Sequence, residues 1–261
     1  MVQKEWTFEE IMRETQVGKL YPVYLLMGEE PYYIDRLAQT IADCALKEEE
    51  RDFNQTILYG TDSDVGTVIN TAKRYPMMSD YQLVILREAQ QMKKIDDLSF
   101  YLEKPLESTI LIIEHKGASV DKRKRLAGLA AKVGVVFESK RLYDSKIPAF
   151  VTAYLNQRKF RIDAKAAQML VDFLGNDLTK IAGELDKLVI SAGEGAREIT
   201  PELIESNIGI SKEYNNFEFI DALVAGNVLK AQRIAMYFAS NQKMYPLVMT
   251  VSALFNYFRL H

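Results

Sequence analysis

The residues of greatest chemical interest are Gly28-Glu29-Glu30-Pro31-Tyr32-Tyr33-Ile34-Asp35. They join a strand-like run, Pro22-Val23-Tyr24-Leu25-Leu26-Met27, to a helical pattern from Tyr32 to Lys47. A strand, a glycine and a helix in that order make a phosphate loop when the junction reads G-x-x-x-x-G-K-[ST]. In that motif the Lys meets the phosphates and the Ser or Thr holds magnesium. This junction has neither, and two carboxylates stand where an anion would have to approach. The segment has the scaffold for triphosphate chemistry without the groups that perform it, so no nucleotide or other cofactor is expected.

Other reactive constellations are equally thin. A magnesium-binding strand of the Walker B kind ends in Asp-Glu after four apolar residues. Here Leu83-Val84-Ile85-Leu86 ends in Arg87-Glu88, and Leu111-Ile112-Ile113 ends in Glu114-His115. Neither supplies an Asp to the metal in the usual way, and Glu114 reads as a solvated strand-end carboxylate. His115 and His261 are the two histidines and Cys44 the one cysteine, too few for a zinc cluster. No G-x-S-x-G accompanies His115, which argues against a serine hydrolase.

Cys44 cannot form an internal disulfide, which fits a reducing cytoplasm. Its helical surroundings read as core-facing. The basic run Lys116, Lys122, Arg123, Lys124 and Arg125 reads as the solvated face of a helix whose apolar side is Leu126, Leu129 and Ala130. It could alternatively touch phosphates. Glu48 to Glu50 reads as a solvated turn. Trp6, Tyr245, Leu247, Phe255, Tyr257 and Phe258 are either core or interface aromatics and aliphatics.

The chain has 261 residues, 48% hydrophobic, with a net charge of -3. That is enough for one large domain or two to three small ones, and it excludes general disorder. It also gives no support for non-specific nucleic-acid binding by the whole surface. No leader is visible before Thr7-Phe8-Glu9-Glu10, a capping-box pattern. No stretch approaches the ~18 apolar residues that span a bilayer.

Short apolar strands are expected at Val23–Met27, Asn54–Tyr59, Gln82–Leu86, Thr109–Glu114 and Val133–Glu138. Helices are expected between them at Tyr32–Lys47, Asp64–Arg74, Asp96–Glu103 and Asp121–Lys132. Continuous rather than alternating apolar strands are buried on both faces, and β–α repetition implies a mainly parallel sheet. From Ser145 onward the apolar periodicity is helical, with a start at Thr200-Pro201 and further helices over Phe217–Val224, Val228–Ala239 and Leu247–Leu260. The last pattern runs to His261 without a cap, as expected of a piece of a longer protein.

Certain segments resemble a known family. They are Tyr21 to Glu30 with Tyr32-Tyr33-Ile34, then Tyr75-Pro76-Met77-Met78-Ser79-Asp80, then Leu174-Gly175-Asn176-Asp177-Leu178 with Ile181 to Leu188, and finally Phe219-Ile220-Asp221-Ala222-Leu223. Together they are similar to the delta subunit of the bacterial DNA polymerase III clamp loader, although Gly183 stands where that family usually has Asn. The resemblance implies an α/β then all-α fold. Residues 1–142 would form a degenerate AAA+-like, P-loop-type parallel-sheet domain. Residues 143–211 would form a small helical lid-type domain, and 212–261 the start of a helical collar.

It also implies a non-catalytic, cytoplasmic subunit that binds and opens the sliding clamp (the beta subunit) for loading onto primed DNA. The collar would join the gamma/tau ATPase and delta-prime subunits, with no membrane partner. By position, the clamp-binding residues are Tyr75, Pro76, Met77 and Met78, the family more often having Leu or Phe at the two methionines. Methionine is unbranched and polarizable and suits irregular pockets. An alternative is that Met77 and Met78 close the bottom of the sheet as core. Two other functions stay open: a nucleotide-utilising enzyme with a degenerate loop, and a delta-prime-like subunit. The latter would ordinarily carry a Ser-Arg-Cys motif and zinc-binding cysteines, which Cys44 alone cannot supply.

Overall fold

The structure, a computed structural model, describes residues 4–193, 195–208 and 214–260. It divides into two compact units, residues 1–141 and 142–261. The expected boundary at 211/212 and His261 fall outside the described residues.

The first unit runs α1 (Phe8–Gln16), β1 (Val23–Gly28), α2 (Pro31–Ala45), α3 (Arg51–Asn54), β2 (Gln55–Tyr59), α4 (Val65–Ala72), β3 (Gln82–Arg87), α5 (Ser99–Leu102), β4 (Thr109–Lys116), α6 (Arg125–Val133) and β5 (Val135–Ser139). The five strands form one parallel sheet in the order β2-β3-β4-β1-β5. β1 lies between β4 and β5, with Val23 opposite Leu111, Tyr24 opposite Val135 and Gly28 opposite both Lys116 and Ser139.

All of β1 is buried, and the two-residue period of a strand sorts its side chains. Val23, Leu25 and Met27 enter a core with Val84, Leu111 and Leu126, while Tyr24 and Leu26 enter another with Ile34, Leu37 and Ile112. Each fully buried aliphatic side chain stabilises by about 1.5–3 kcal/mol, so β1 anchors both layers. α1 starts in the expected capping box: Thr7 accepts from the Glu10 amide at 3.2 Å, and Glu10 accepts from the Thr7 amide at 3.0 Å.

Three local readings change. Cys44 is exposed, because the buried stripe of α2 is Ile34, Leu37, Ala38, Ile41, Ala42 and Ala45, and Cys44 falls off it. The helix expected from Asp121 begins at Arg125. Its entry is a turn in which the Asp121 carboxylate accepts the Arg123 amide at 2.9 Å, the local competition that draws Asp out of helices. The second unit also holds a parallel strand pair, β6 (Arg161–Ile162) with β7 (Glu198–Ile199), too short to leave a pattern.

The second unit is otherwise helical: α7 (Ile147–Gln157), α8 (Ala164–Leu174), α9 (Leu178–Ala192), α10 (Pro201–Ile208), α11 (Asn216–Val224), α12 (Val228–Ser240) and α13 (Leu247–Leu260). Side-chain caps from Asp163, Asp177, Asn215 and Asn227 begin four of these helices, each worth about 1 kcal/mol. Phe238 stacks on Tyr245 at 4.6 Å within a cluster holding Ile234, Phe173 and Phe219. Glu218 of α11 pairs with Lys165 of α8 and Lys230 of α12. Burial pushes its carboxyl up, but the two ammonium groups outweigh that and hold it below the usual range.

Gly134 joins α6 to β5 so closely that a Cβ there would sit 1.9 Å from the Val23 carbonyl oxygen. Gly134→Ala should therefore cost about 1–3 kcal/mol by overpacking, read as a lower urea midpoint. In α8, burial raises the Asp172 carboxyl from 3.8 to about 6, against the weaker pull of the Gln168 amide. The folded chain thus holds a proton that the unfolded chain releases between those values. Stability from this group is greatest below the lower value and is lost as pH rises through the higher one. Asp172→Asn should raise stability by about 1–3 kcal/mol at about pH 7.5 and leave it unchanged near about pH 3.5, measured by thermal unfolding across pH.

Candidate protein-docking site

Parallel strands send their C-terminal ends to one edge of the sheet and their N-terminal ends to the other. The β1–α2 turn lies at the C-terminal edge, where open α/β sheets bind ligands. There the Glu29 amide donates to the Ser139 carbonyl at 3.0 Å, and the Glu30 amide to the Ser139 Oγ at 3.2 Å. The Tyr32 amide donates to the Glu30 carboxylate at 3.3 Å, and Pro31 has no N–H. Amides that cradle phosphate in a nucleotide-binding loop are here committed to β5 and to a carboxylate cap. Gly28 has φ +126 and lies so close to β5 that a Cβ would come within 2.0 Å of the Ser139 carbonyl oxygen. The glycine serves close strand packing, a role that does not require a ligand.

Beside this turn Glu114 is 1% exposed, which corrects its reading as solvated. Lys116 lies 3.2 Å and Arg87 3.9 Å from its carboxylate, and Lys116 also pairs with Asp35 of α2. Burial raises the Glu114 carboxyl, with Lys116 pulling it down less strongly. A charge with this little exposure requires such partners. His115 Nδ1 donates to the Ala118 carbonyl at 2.8 Å. Among the described residues no group of three His, Cys, Asp or Glu could hold a metal ion.

The basic run is divided among acids. Lys122 meets Glu138 at 2.6 Å, Arg123 meets Asp121 at 2.9 Å, Lys124 meets Asp96 at 2.7 Å, and Arg125 meets Glu103. These exposed pairs contribute little stability each, but they offset the positive charge locally.

The opposite edge of the sheet holds a different feature. The chain leaves α4 with the Arg74 amide on the Thr71 carbonyl at 3.1 Å, and enters β3 with the Gln82 amide on the Ser108 carbonyl at 2.8 Å. Between them Tyr75 is 75%, Met77 62% and Met78 101% exposed, with Pro76 half-buried. Met77 and Met78 are therefore not core, and the alternative of methionines closing the bottom of the sheet is overturned. Met78 adopts φ 54, a left-handed conformation uncommon outside glycine and worth examining for function. All four sequence-selected residues sit on this one loop. Sequence reading missed Asn54, whose side chain bonds the Met77 backbone; an Asn one position before an apolar strand was its one faint signal.

In the second unit Leu247, Val251, Phe255 and Phe258 of α13 are exposed. Their spacing places them along one helical face. Tyr245, by contrast, is core. No helix among the described residues is long and apolar enough to cross a membrane.

Comparison with known proteins agrees with this architecture. The family described as DNA polymerase III, delta subunit matches residues 24–140. The DNA polymerase III subunit delta of Bacillus subtilis (strain 168) is 23% identical, across 96% of this chain and 74% of that protein. The solved Bacillus subtilis DNA clamp loader delta protein superposes with a TM-score of 0.67 at 22% identity, covering 97% of this chain and 77% of that one. The Thermotoga maritima RuvB Holliday junction branch migration motor is more distant, with a TM-score of 0.45 at 11% identity over 82% of this chain and 72% of that one. The expected α/β then all-α architecture with a parallel sheet stands. Residues 24–140 are thus similar to the DNA polymerase III delta-subunit family, and nearly the whole chain is similar to the Bacillus subtilis delta subunit.

Proposed function

We propose that this chain is a non-catalytic clamp-loader subunit that binds the sliding clamp through Tyr75, Pro76, Met77 and Met78 and favours the opened ring for loading onto primed DNA. The observation that carries this reading is the pair of exposed methionines on a loop fixed at its backbone. An apolar pair left in water has no folding use, and it becomes favourable once a partner's pocket covers it. Opening is then a population shift. The subunit moves the ring only by the difference between its affinities for the closed and sprung forms.

ATP belongs, on this reading, to neighbouring subunits. Supporting it are the commitment of the Glu29 and Glu30 amides to Ser139 and the lack of a Lys and a Ser or Thr after Gly28. We assign residues 143–211 to a lid-type helical domain and 212–261 to the start of a collar. There the apolar face of α13, at Leu247, Val251, Phe255 and Phe258, would meet the gamma/tau and delta-prime subunits.

Met77→Ala combined with Met78→Ala should weaken clamp binding at least about 100-fold. Each side chain contributes about 1.5–3 kcal/mol when fully buried. Circular dichroism should be unchanged, because neither side chain is core. Undiminished affinity in the folded double variant would remove the site. Calorimetric titration of the isolated chain with magnesium ATP should give no saturable heat at micromolar concentrations, whereas a fitted micromolar Kd would favour the enzyme alternative. Phe255→Glu should abolish co-purification with the ATPase subunits while leaving clamp binding intact; retained assembly would count against the collar assignment.

A further inference from the structure

The loop that carries Met77 and Met78 is held by a side chain far from it in sequence. Asn54 ends α3, one residue before β2, and is 1% exposed. Its Oδ1 accepts the Met77 amide at 2.6 Å, and its Nδ2 donates to the Met77 carbonyl at 3.0 Å. Nδ2 also donates to the Glu50 carbonyl at 3.1 Å. The partners fix the orientation of the amide, since a flip would set N–H against N–H and oxygen against two carbonyl oxygens. A primary amide has the donor and acceptor of a peptide unit. Asn54 therefore gives Met77 the two-point pairing that a neighbouring strand would otherwise provide, while leaving the Met77 side chain outside.

We propose that Asn54 is a positioning residue for partner docking: by pairing with the Met77 backbone in both directions it holds Met77 and Met78 in the geometry the partner receives. The inference rests on the clamp-binding reading of that loop. An ordered loop loses less freedom on docking than a mobile one, and that saving appears directly as affinity. The left-handed turn at Met78 follows immediately after the paired residue. Release of Met77 would let Met78 relax to ordinary backbone and re-aim both side chains.

The test combines amide hydrogen exchange at Met77 with clamp affinity, on the wild-type chain, on Asn54→Ala and Asn54→Asp, and on each in the Met77→Ala, Met78→Ala background. In Asn54→Ala, exchange at Met77 should accelerate at least about tenfold. Clamp affinity should fall about tenfold, with the far-ultraviolet spectrum retained. In the background lacking both methionine side chains, Asn54→Ala should cause no further loss, because the two changes act through one contact. Slow Met77 exchange in Asn54→Ala, or a full additional loss of affinity in that background, would overturn the proposal.

Asn54→Asp carries the test should the alanine variant not fold. As a carboxylate it still accepts the Met77 amide but faces two carbonyl oxygens, and when protonated it donates again. Its affinity relative to wild type should recover as pH falls from about 8 to about 5, and a flat ratio would overturn the proposal. A wild-type chain that ignores the clamp sinks the clamp reading instead. The Met77 exchange rates then test only the backbone restraint by Asn54, and the docking role falls with the clamp reading.

Discussion

Parallel pairing of β1 with β4 and β5 is the constraint on which the first unit is built. It buries β1 on both faces and divides the connecting loops between two edges of the sheet. The C-terminal edge is closed by short-range chemistry. Ser139 takes the turn amides, Glu30 caps α2, and Glu114 lies buried between Lys116 and Arg87. The N-terminal edge is open, and there the loop before β3 carries its apolar side chains into water. Because both loops hang from one rigid sheet, the fold keeps a closed edge and an open one without a separate device for each.

At the open edge, backbone and side chains obey opposite rules. The backbone of Met77 is satisfied by a buried amide, as an interior peptide would be, while its side chain is left outside. Met78 pays a conformational cost of order 1 kcal/mol or more for φ 54. A glycine would avoid that cost, but it would supply no apolar surface. An uncommon backbone angle at a fully exposed methionine is understandable if the side chain is what the loop exists to present. The second unit follows a plainer logic, with Asp and Asn caps starting helices and an aromatic cluster filling the space between them.

The strands were legible because each is a short continuous apolar run, the pattern of burial on both faces. Their observed bounds lie within a residue or two of those expected. Legibility failed where a single side chain's environment had to be read. Cys44 looked apolar in a helical window, yet it lies off the stripe that faces the sheet. Glu114 looked like any carboxylate ending a strand, but Lys116, two residues on, and Arg87, from the neighbouring strand, enclose it. The basic run kept its solvated character, while the acids that pair with it come from as far away as Asp96 and Glu138.

By itself the sequence determined which chemistry is missing at the Gly28 turn and where strands and helices alternate. Both are local properties: a motif needs its residue types at fixed spacing, and periodicity is read within one element. Only the tertiary structure decided that Met77 and Met78 face outward and that Asn54, 23 residues earlier, holds them. That pairing forms because β2 lies beside β3 in the sheet. Strand order brings the start of one strand against the loop entering the next, and no local pattern encodes such a meeting.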